Sequence, residues 1–477
     1  MTGLNPAGPA LLDRLAAALG PDAVKAAEPR YLEEPRGRLS GHAAAVLLPR
    51  STQGVAAAVR LCAEARVGII PYAGGTGLVG GQIAEAGPMP VLLSVERLSR
   101  IRDLDLVDGV MVAEAGCVLA DVQAAARAAG RLFPLSLASE GSARIGGLLA
   151  TNAGGVAVLR YGNARDLCLG VEAVLADGTV VAGLSRLHKD NMGYDLRHLL
   201  IGSEGTLGII TAASLRLYPQ PDETASAWVS VESPEAALEM LSLLSGRLGS
   251  AISAFELIHV QGLAFLAEVL PAIPRPGDGD GSAAAWRLLV EAGDAAEAAV
   301  GERLEAALVT AMEGGLAVDA LVAQSEAQRA VFWGVREAIP VANRMIGSVS
   351  SHDISLPPSR LAEFITRAGA AVAALDPRLR VNCFGHLGDG NLHYNVFPPR
   401  GAGRADFEGV RFAVKDTVHD LVHALGGSVG AEHGVGRVKG KDLVRYGDPG
   451  KIAAMRAVKR ALDPLGILNP GAVLAEG

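Results

Sequence analysis

The residues with the clearest capacity for chemistry lie in the stretch NCFGHLGDGNLHYN, residues 382–395. Two histidines, His386 and His393, flank an Asp-Gly turn signal, and the pair Glu432-His433 follows about forty residues later. A hairpin across that turn would bring the two imidazoles toward each other. With one carboxylate added, they form a three-ligand set with an open position, the usual layout of a catalytic divalent metal site. Taken alone, such a set suits hydrolysis, oxidation or a purely structural role.

A glycine-rich loop at residues 73–81 precedes this stretch and points to a cofactor. Its segment GTGLVG matches the dinucleotide motif GxGxxG, which requires a helix to open directly after the loop. Gly87, Pro88 and Pro90 interrupt the chain where that helix would be, so a Rossmann fold is not expected. The alternative is a loop whose backbone N–H groups wrap a pyrophosphate without a helix.

Two further glycine-rich regions support this second use. Residues 139–163 contain SEGS, IGG and TNAGG, and residues 202–208 read GSEGTLG before a strand that closes near Pro219. A plain turn explains any one of these loops. Three loops of this length in one half of a chain exceed what turns need, so we expect them to hold one cofactor together.

Size and composition define the kind of protein that carries these motifs. At 477 residues the chain is too long for one core, so two or three domains are expected. The net charge of −8 argues against nucleic acid as a partner. The four cysteines form no CxxC pair and are expected to be reduced and buried. Neither a secretory signal nor a membrane-spanning run is visible, which favours a soluble cytoplasmic protein.

The elements that must position the motifs follow from local patterns. Residues 11–28 have helical spacing, and residues 44–72 read as strand, helix and strand, a βαβ-like opening into the first glycine loop. Pro219-Gln220-Pro221 indicates a domain boundary. Residues 271–282 are expected to form an exposed insertion, and the tail from residue 404 is expected to be mainly helical.

Several motifs together resemble a known family. YAGGTGLVGG, IGGLLATNAGG, RYGNARD and IGSEGTLGIIT resemble the flavin-binding half of the vanillyl-alcohol oxidase-type FAD dehydrogenases. GHLGDGNLH and EHGVGRVKG resemble the C-terminal half of the D-2-hydroxyacid dehydrogenases within it, most closely the D-2-hydroxyglutarate dehydrogenases, with the D-lactate dehydrogenases as cousins. The similarity runs from about residue 40 to LNPG at residues 468–471.

The resemblance implies an α+β fold in three parts. Residues 1–219 would form an FAD-binding, PCMH-type domain of two α+β subdomains. Residues 220–425 would form an α+β substrate domain, and residues 426–477 a small helical part that completes the active site and the flavin site. The activity implied is FAD-dependent, divalent-metal-assisted oxidation of a D-2-hydroxy acid, chiefly D-2-hydroxyglutarate, to the 2-oxo acid.

The resemblance also implies a metal and a base. The positions that match His386, His393 and Glu432 bind a divalent metal in this family, commonly zinc. A metal on the substrate hydroxyl would lower the pKa of that alcohol and fix its C2 over the flavin. His433, next to a ligand, is the candidate catalytic base, because imidazole titrates near working pH. In that role it would also contact the substrate.

Two further residues are expected to hold the substrate acid. Arg336, in FWGVREAIP, matches the family's carboxylate-binding arginine. Asn395, two residues after His393 and on the same strand face, is placed to hydrogen-bond the substrate carboxylate.

The FAD contacts are expected from the glycine loops, the turn of the hairpin and the C-terminal LNPG. The residues are Pro71, Ala73, Gly74, Gly75, Thr76, Gly77, Gly80, Ser139, Glu140, Gly141, Ser142, Ile145, Gly146, Gly147, Asn152, Gly154, Gly155, Tyr161, Gly162, Glu204, Gly205, Gly208, Ile209, Ile210, Asn391 and Asn469. Residues 71–82 and 139–163 contain neither His nor Cys, so the FAD is expected to be non-covalent.

Two positions depart from the D-2-hydroxyglutarate pattern. The family places a threonine four residues and a lysine fifteen residues after the arginine, where this chain has Pro340 and Ser351. Losing the lysine removes a positive charge from the far end of a dicarboxylate, and an unpaired buried carboxylate is costly. Either Arg336 alone suffices, His352 or Arg344 substitutes, or the substrate is D-lactate or another D-2-hydroxy acid.

Two functions of other classes remain open at this point. A zinc hydrolase would use His386, His393 and Glu432 with water and no flavin. A non-catalytic flavoprotein subunit, as occurs among glycolate oxidase components, would bind FAD without turnover. The acceptor that reoxidises the flavin could be an electron-transfer flavoprotein, a quinone, a cytochrome or oxygen, and a homodimer is the default assembly.

Overall fold

The computed structural model describes residues 3–277 and 284–474. The helices in that part of the chain are α1 (Pro9–Leu19), α2 (Pro29–Leu32), α3 (Thr52–Ala65), α4 (Leu119–Ala128), α5 (Ile145–Thr151), α6 (Val158–Tyr161), α7 (Leu196–Leu200), α8 (Pro234–Leu248), α9 (Val260–Val269), α10 (Val300–Glu313), α11 (Glu326–Ile346), α12 (Leu361–Leu375), α13 (Arg411–Ala424), α14 (Gly440–Tyr446) and α15 (Pro449–Leu462). Residues 278–282 of the expected insertion lie outside the described residues.

The strands alternate with these helices and confirm the α+β class. They are β1 (Val24–Lys25), β2 (Val46–Leu47), β3 (Ile69–Tyr72), β4 (Val91–Ser94), β5 (Ile101–Asp105), β6 (Val110–Glu114), β7 (Arg131–Leu132), β8 (Cys168–Val174), β9 (Val180–Gly183), β10 (Ile209–Arg216), β11 (Tyr218–Pro219), β12 (Glu223–Val231), β13 (Ile252–His259), β14 (Trp286–Asp294), β15 (Asp319–Val322), β16 (Ser350–Ser355), β17 (Arg380–His386) and β18 (Asn391–Phe397).

The chain forms two compact units. Unit 1 comprises Met1–Gly154, Gly162–Gln220 and Glu432–Gly477, and unit 2 comprises Gly155–Tyr161 and Pro221–Ala431. The C-terminal helices α14 and α15 therefore belong with the N-terminal half of the chain.

Unit 1 contains two main sheets. In the first, β2, β4 and β3 are parallel, and α3 links β2 to β3, which confirms the predicted βαβ opening. The second has the order β5-β6-β10-β8-β9 and is antiparallel. The helix expected over residues 11–28 is wrong beyond Leu19, because Gly20 has a φ of 92° and Pro21 follows it.

Unit 2 is built on one antiparallel sheet. Its order in the described residues is β15-β12-β14-β13-β17-β18-β16. One face packs against α8, α10, α12 and α13, through a core that includes Met240, Leu304, Phe364 and Val418. The other face packs against α9 and α11, and this second face carries His386, His393 and Asn395.

Two general expectations can be compared with the structure. All four cysteines are free and buried, as expected. No helix in the described ranges combines the length and the hydropathy needed to cross a membrane.

Candidate functional site

The predicted hairpin exists in unit 2. Strands β17 and β18 pair antiparallel, and a 3₁₀ turn over Leu387–Asp389 joins them. Gly390 closes the turn with a φ of 86°, and a Cβ there would collide with the carbonyl oxygen of Leu356. The turn therefore requires a glycine at this position.

The hairpin brings the two histidines together. The ring centroids of His386 and His393 lie 5.7 Å apart at an interplanar angle of 79°. A ligating nitrogen of each ring lies within 4.8 Å of one on the other ring, close enough to share an ion. This confirms that the turn folds the imidazoles toward each other.

Each imidazole has a carboxylate beside its Nδ1 atom. Glu256 Oε1 is hydrogen-bonded to His386 Nδ1, and Asp353 Oδ1 lies 3.9 Å from His393 Nδ1. The hydrogen-bonded carboxylate of Glu256 leaves Nε2 of neutral His386 as the basic nitrogen, which is the common arrangement of metal-ligating histidines, whereas Asp353 Oδ1 lies beyond hydrogen-bond distance of His393 Nδ1. The donor set of unit 2 therefore fits a divalent metal.

Glu256 is a site residue that the motifs did not reveal. It is fully buried on β13, and its second oxygen accepts a hydrogen bond of 2.5 Å from Arg336 Nε. Burial alone would raise the pKa of Glu256, but Arg336 and His386 outweigh burial and lower it to about 2. The carboxylate is therefore ionised at neutral pH.

Arg336 is held on two sides. It extends from α11, its Nε donates to Glu256, and its guanidinium carbon lies 4.8 Å from the centroid of the Phe384 ring. Its terminal nitrogens, Nη1 and Nη2, have no hydrogen-bond partner among the described residues. They are the fork expected to receive a carboxylate.

Asn395 and Asn391 follow on β18. Asn395 is buried on the same side of the strand as His393, and it lies opposite Ser351 of β16 in the strand register. Asn391 donates its side-chain amide to Asp353 Oδ1 at 3.1 Å and to the carbonyl oxygen of Ile354 at 2.8 Å. The contact of Asn391 with flavin stays a prediction.

Of the two suggested substitutes for the missing lysine, His352 is wrong and Arg344 stays a prediction. His352 pairs with Tyr394 in the register of β16 and β18, and its ring packs against His419 of α13, so it points to the opposite face. Arg344 is exposed at the end of α11. Ser351 does face the site side, and its hydroxyl lies 2.6 Å from that of Ser348.

In unit 1 the glycine loops converge. A Cβ at Gly74 would collide with the carbonyl oxygen of Ser142, and one at Gly147 would lie 3.1 Å from the Ala73 side chain. The backbone N–H groups of residues 74–78 make no hydrogen bond to any described residue. Unpaired N–H groups in a glycine loop are the donors that a pyrophosphate requires, so the loops fit this part of FAD.

Glu204 connects the third loop to the motif EHGVG. The backbone of Glu204 has a φ of 52°. Its buried side chain accepts hydrogen bonds from the backbone N–H groups of Val435 (2.7 Å) and Gly436 (2.8 Å). Burial raises the pKa of Glu204 against these donors. Its side chain organises the loops, whereas its backbone carbonyl accepts from Asn469 Nδ2 at 2.8 Å.

Arg437 is the second residue that the motifs did not single out. Its Nη1 donates to the carbonyl oxygens of Gly80 (3.0 Å) and Gly81 (2.9 Å), and its Nη2 donates to Asn469 Oδ1 (3.0 Å) and the Pro470 carbonyl (2.9 Å). Burial lowers the pKa of Arg437 to about 10. This arginine ties the first glycine loop to the C-terminal LNPG.

The remaining predicted residues are divided between the units. Gly155 and Tyr161 belong to unit 2, with Tyr161 buried at the end of α6. Glu432 and His433 belong to unit 1, where Glu432 Oε1 lies 3.6 Å from His433 Nε2. The other loop residues lie in unit 1. Pro71 lies in β3, α5 begins with Ile145, Gly146 and Gly147, β10 begins with Ile209 and Ile210, and Asn152 has a φ of 51°.

Comparison with known proteins now defines the class. Residues 43–183 match the family model described as an FAD binding domain, and residues 220–473 match the C-terminal domain of FAD linked oxidases. The second match covers more than half of the chain. The chain belongs to the FAD-linked oxidase family and is a flavin-dependent oxidoreductase.

Three similar relatives carry the name D-2-hydroxyglutarate dehydrogenase. The chain is 36% identical to D-2-hydroxyglutarate dehydrogenase, mitochondrial, of Bos taurus over 453 residues, which are 93% of this chain and 80% of the relative. It is 36% identical to the D-2-hydroxyglutarate dehydrogenase of Xanthomonas citri pv. viticola (90% and 88% covered). For the mitochondrial enzyme of Arabidopsis thaliana the identity is 34%, with 92% and 76% covered.

Solved structures confirm the expected fold. A p-cresol methylhydroxylase crystal structure matches with a TM-score of 0.77 at 17% identity, covering 99% of each chain. An alkyldihydroxyacetonephosphate synthase matches with a TM-score of 0.73 at 17% identity, covering 98% of this chain and 86% of the synthase. At this identity the likeness establishes the vanillyl-alcohol oxidase-type fold alone.

Proposed function

We propose that the protein is an FAD-dependent, divalent-metal-assisted dehydrogenase that oxidises D-2-hydroxyglutarate to 2-oxoglutarate. The names of its relatives support the substrate. The observation that carries the chemistry is one face of the unit 2 sheet, where two adjacent imidazoles, one of them hydrogen-bonded to a carboxylate, lie with an arginine whose terminal nitrogens have no partner among the described residues. Such a face suits an acid whose neighbouring hydroxyl is polarised.

His386 and His393 would hold the metal, with Glu432 as the third ligand. Glu432 follows Ala431, whose backbone N–H donates at 3.4 Å to the carbonyl oxygen of Asp353, the strand residue whose carboxylate lies beside His393. Zinc is the proposed ion because its sites combine imidazole and carboxylate ligands with an open position.

The protein groups divide the work around the substrate. Arg336 binds the carboxylate next to the hydroxyl, and Asn395 hydrogen-bonds the same group, which orients C2. His433 accepts the hydroxyl proton as general base. When bound, non-covalent FAD supplies the hydride acceptor, and the metal supplies polarisation of the hydroxyl.

A second substrate is favoured by one observation. Ser351 presents a neutral hydroxyl opposite Asn395, and the positive charge of Arg336 is paired with Glu256. The net charge offered to a distal carboxylate is therefore small, which favours a D-2-hydroxy monocarboxylate such as D-lactate as the alternative substrate.

The electron acceptor, an electron-transfer flavoprotein or a quinone, stays a prediction, as do the cytoplasmic location and the homodimer.

A dye-coupled screen of D- and L-2-hydroxy acids, with and without chelator, tests the proposal. We expect turnover with D-2-hydroxyglutarate, loss with chelator and recovery with Zn²⁺. His433→Gln should lose turnover while it keeps FAD, and His423→Gln, at an exposed histidine of α13, is the matched control. Turnover that chelator leaves unchanged would remove the metal, and bound FAD without turnover of any hydroxy acid would favour the non-catalytic subunit.

A further inference from the structure

We infer that Glu256 is a positioning residue that sets the orientation of the metal-ligating His386 and of the substrate-binding Arg336 at once. The inference rests on the proposed function, because it concerns the same site. No motif of the chain marks Glu256, and its contacts connect a metal ligand to a substrate-binding residue.

The strand register fixes where the carboxylate lies. Glu256 of β13 is paired directly with His386 of β17, so the two side chains leave the sheet as cross-strand neighbours on one face. Glu256 is completely buried, and its position therefore follows from the backbone of two central strands rather than from a loop.

The carboxylate uses a different oxygen for each partner. Oε1 faces His386 Nδ1, and Oε2 accepts from Arg336 Nε at 2.5 Å. The oxygen that faces Nδ1 is placed to accept a hydrogen bond, so the neutral tautomer of His386 that fits this contact has its proton on Nδ1 and its lone pair on Nε2. The tautomer that can ligate a metal through Nε2 is thus selected by Glu256.

The same contact aims the guanidinium. Glu256 holds Nε of Arg336, and the guanidinium group lies near the ring of Phe384. These two contacts restrict the rotation of the guanidinium plane. The Nη1 and Nη2 edge then points away from the carboxylate, in the geometry of a bidentate clamp. A single carboxylate therefore couples the metal ligand to the acid-binding arginine.

Glutamine is the informative replacement, because it keeps the shape and offers only one oxygen. If that oxygen accepts from Arg336, the amide nitrogen faces His386 Nδ1, and the imidazole must move its proton to Nε2, where it blocks ligation. Losing such a hydrogen-bonded partner of a metal ligand lowers metal affinity by about 10- to 100-fold. If the oxygen turns to His386 instead, the aim of Arg336 is lost and KM for the hydroxy acid rises.

Unit 2 contains a matched control. Glu291 of β14 also accepts from an arginine Nε of α11, Arg329, at 2.8 Å, and from Trp333 Nε1 at 2.7 Å, but it has no histidine partner among the described residues. Glu291→Gln therefore reproduces the loss of a strand carboxylate beside α11 without touching the site.

The experiment titrates Zn²⁺ into metal-free, FAD-loaded protein by calorimetry, for the wild type, Glu256→Gln and Glu291→Gln, and then measures KM and kcat. We expect Glu256→Gln alone to weaken Zn²⁺ binding by about 10- to 100-fold and to raise KM. Equal Zn²⁺ affinity and KM in the two variants would overturn the inference.

Two further measurements keep the inference separate from the proposed function. Wild-type protein that turns over hydroxy acid yet binds no Zn²⁺ would contradict both the metal and the role of Glu256 toward His386. If Glu256→Gln fails to fold, Glu256→Asp replaces it, since the shorter acid keeps the charge and reaches only one of the two partners. Wild-type metal affinity and KM in Glu256→Asp would also overturn the inference.

Discussion

Replacing Arg437 with methionine removes four hydrogen bonds that tie Gly80, Gly81, Asn469 and Pro470 together. At about 1.5 kcal/mol for each bond from a charged donor, the gross loss is about 6 kcal/mol. Burial lowers the pKa of Arg437 from its ordinary 12.5 to about 10, and that desolvation costs about 3 kcal/mol, which methionine does not incur. The free energy of unfolding of the variant is therefore expected to be about 3 kcal/mol lower than that of the wild type.

Arg437→Met releases the first glycine loop, because Gly80 and Gly81 lose their hydrogen bonds to the guanidinium. Part of the lost free energy should therefore appear as weaker FAD binding. If FAD binding must reorder the loop, the FAD dissociation constant rises by up to about 100-fold, the equivalent of about 3 kcal/mol. The assay follows flavin fluorescence while FAD is added to apoprotein, and urea unfolding measures the stability. Arg460→Met, at an exposed arginine of α15, is the control. Arg437→Met with wild-type FAD affinity and unfolding free energy would refute the reasoning.

Three further predictions concern other parts of the chain. Burial lowers the pKa of His259 from 6.5 to about 4, so the folded protein binds fewer protons there, and up to about 3 kcal/mol of stability present above pH 6.5 is lost as pH falls to about 4. Urea unfolding of His259→Asn should show less of this pH dependence, and an unchanged pH profile would contradict it. Ser351→Lys should raise kcat/KM for D-2-hydroxyglutarate relative to D-lactate, and an unchanged ratio would mean that this position does not set the preference. Gly74→Ala should weaken FAD binding in the fluorescence titration because its Cβ meets backbone, whereas Gly8→Ala, in open space before α1, should not.

The hairpin could be predicted from the sequence because its determinants are local. An Asp-Gly turn signal between two histidines fixes both the turn and the face on which the imidazoles lie. The alternation of side chains along a strand is equally predictable. His352 follows Ser351 directly, so the two side chains must face opposite sides of β16. The proposal that His352 could substitute for a lysine at Ser351 failed on this point alone.

Glu256 and Arg437 could not be predicted because their partners are distant in sequence. Glu256 lies 130 residues from His386 and 80 from Arg336, and only the strand order of unit 2 makes them neighbours. Arg437 lies more than 350 residues from Gly80 and Gly81. Glu256 is a charged residue that the fold buries and Arg437 one that it partly buries, which local pattern does not indicate.

The most direct test of the proposed reaction is reduction of the protein's own flavin under anaerobic conditions, without any added acceptor. We predict that D-2-hydroxyglutarate bleaches the flavin absorbance of zinc-loaded protein. We also predict that the L-enantiomer does not, and that prior removal of the metal with chelator prevents the bleaching. An oxidised flavin that persists with every D-2-hydroxy acid, in protein shown to contain both FAD and zinc, would contradict the account.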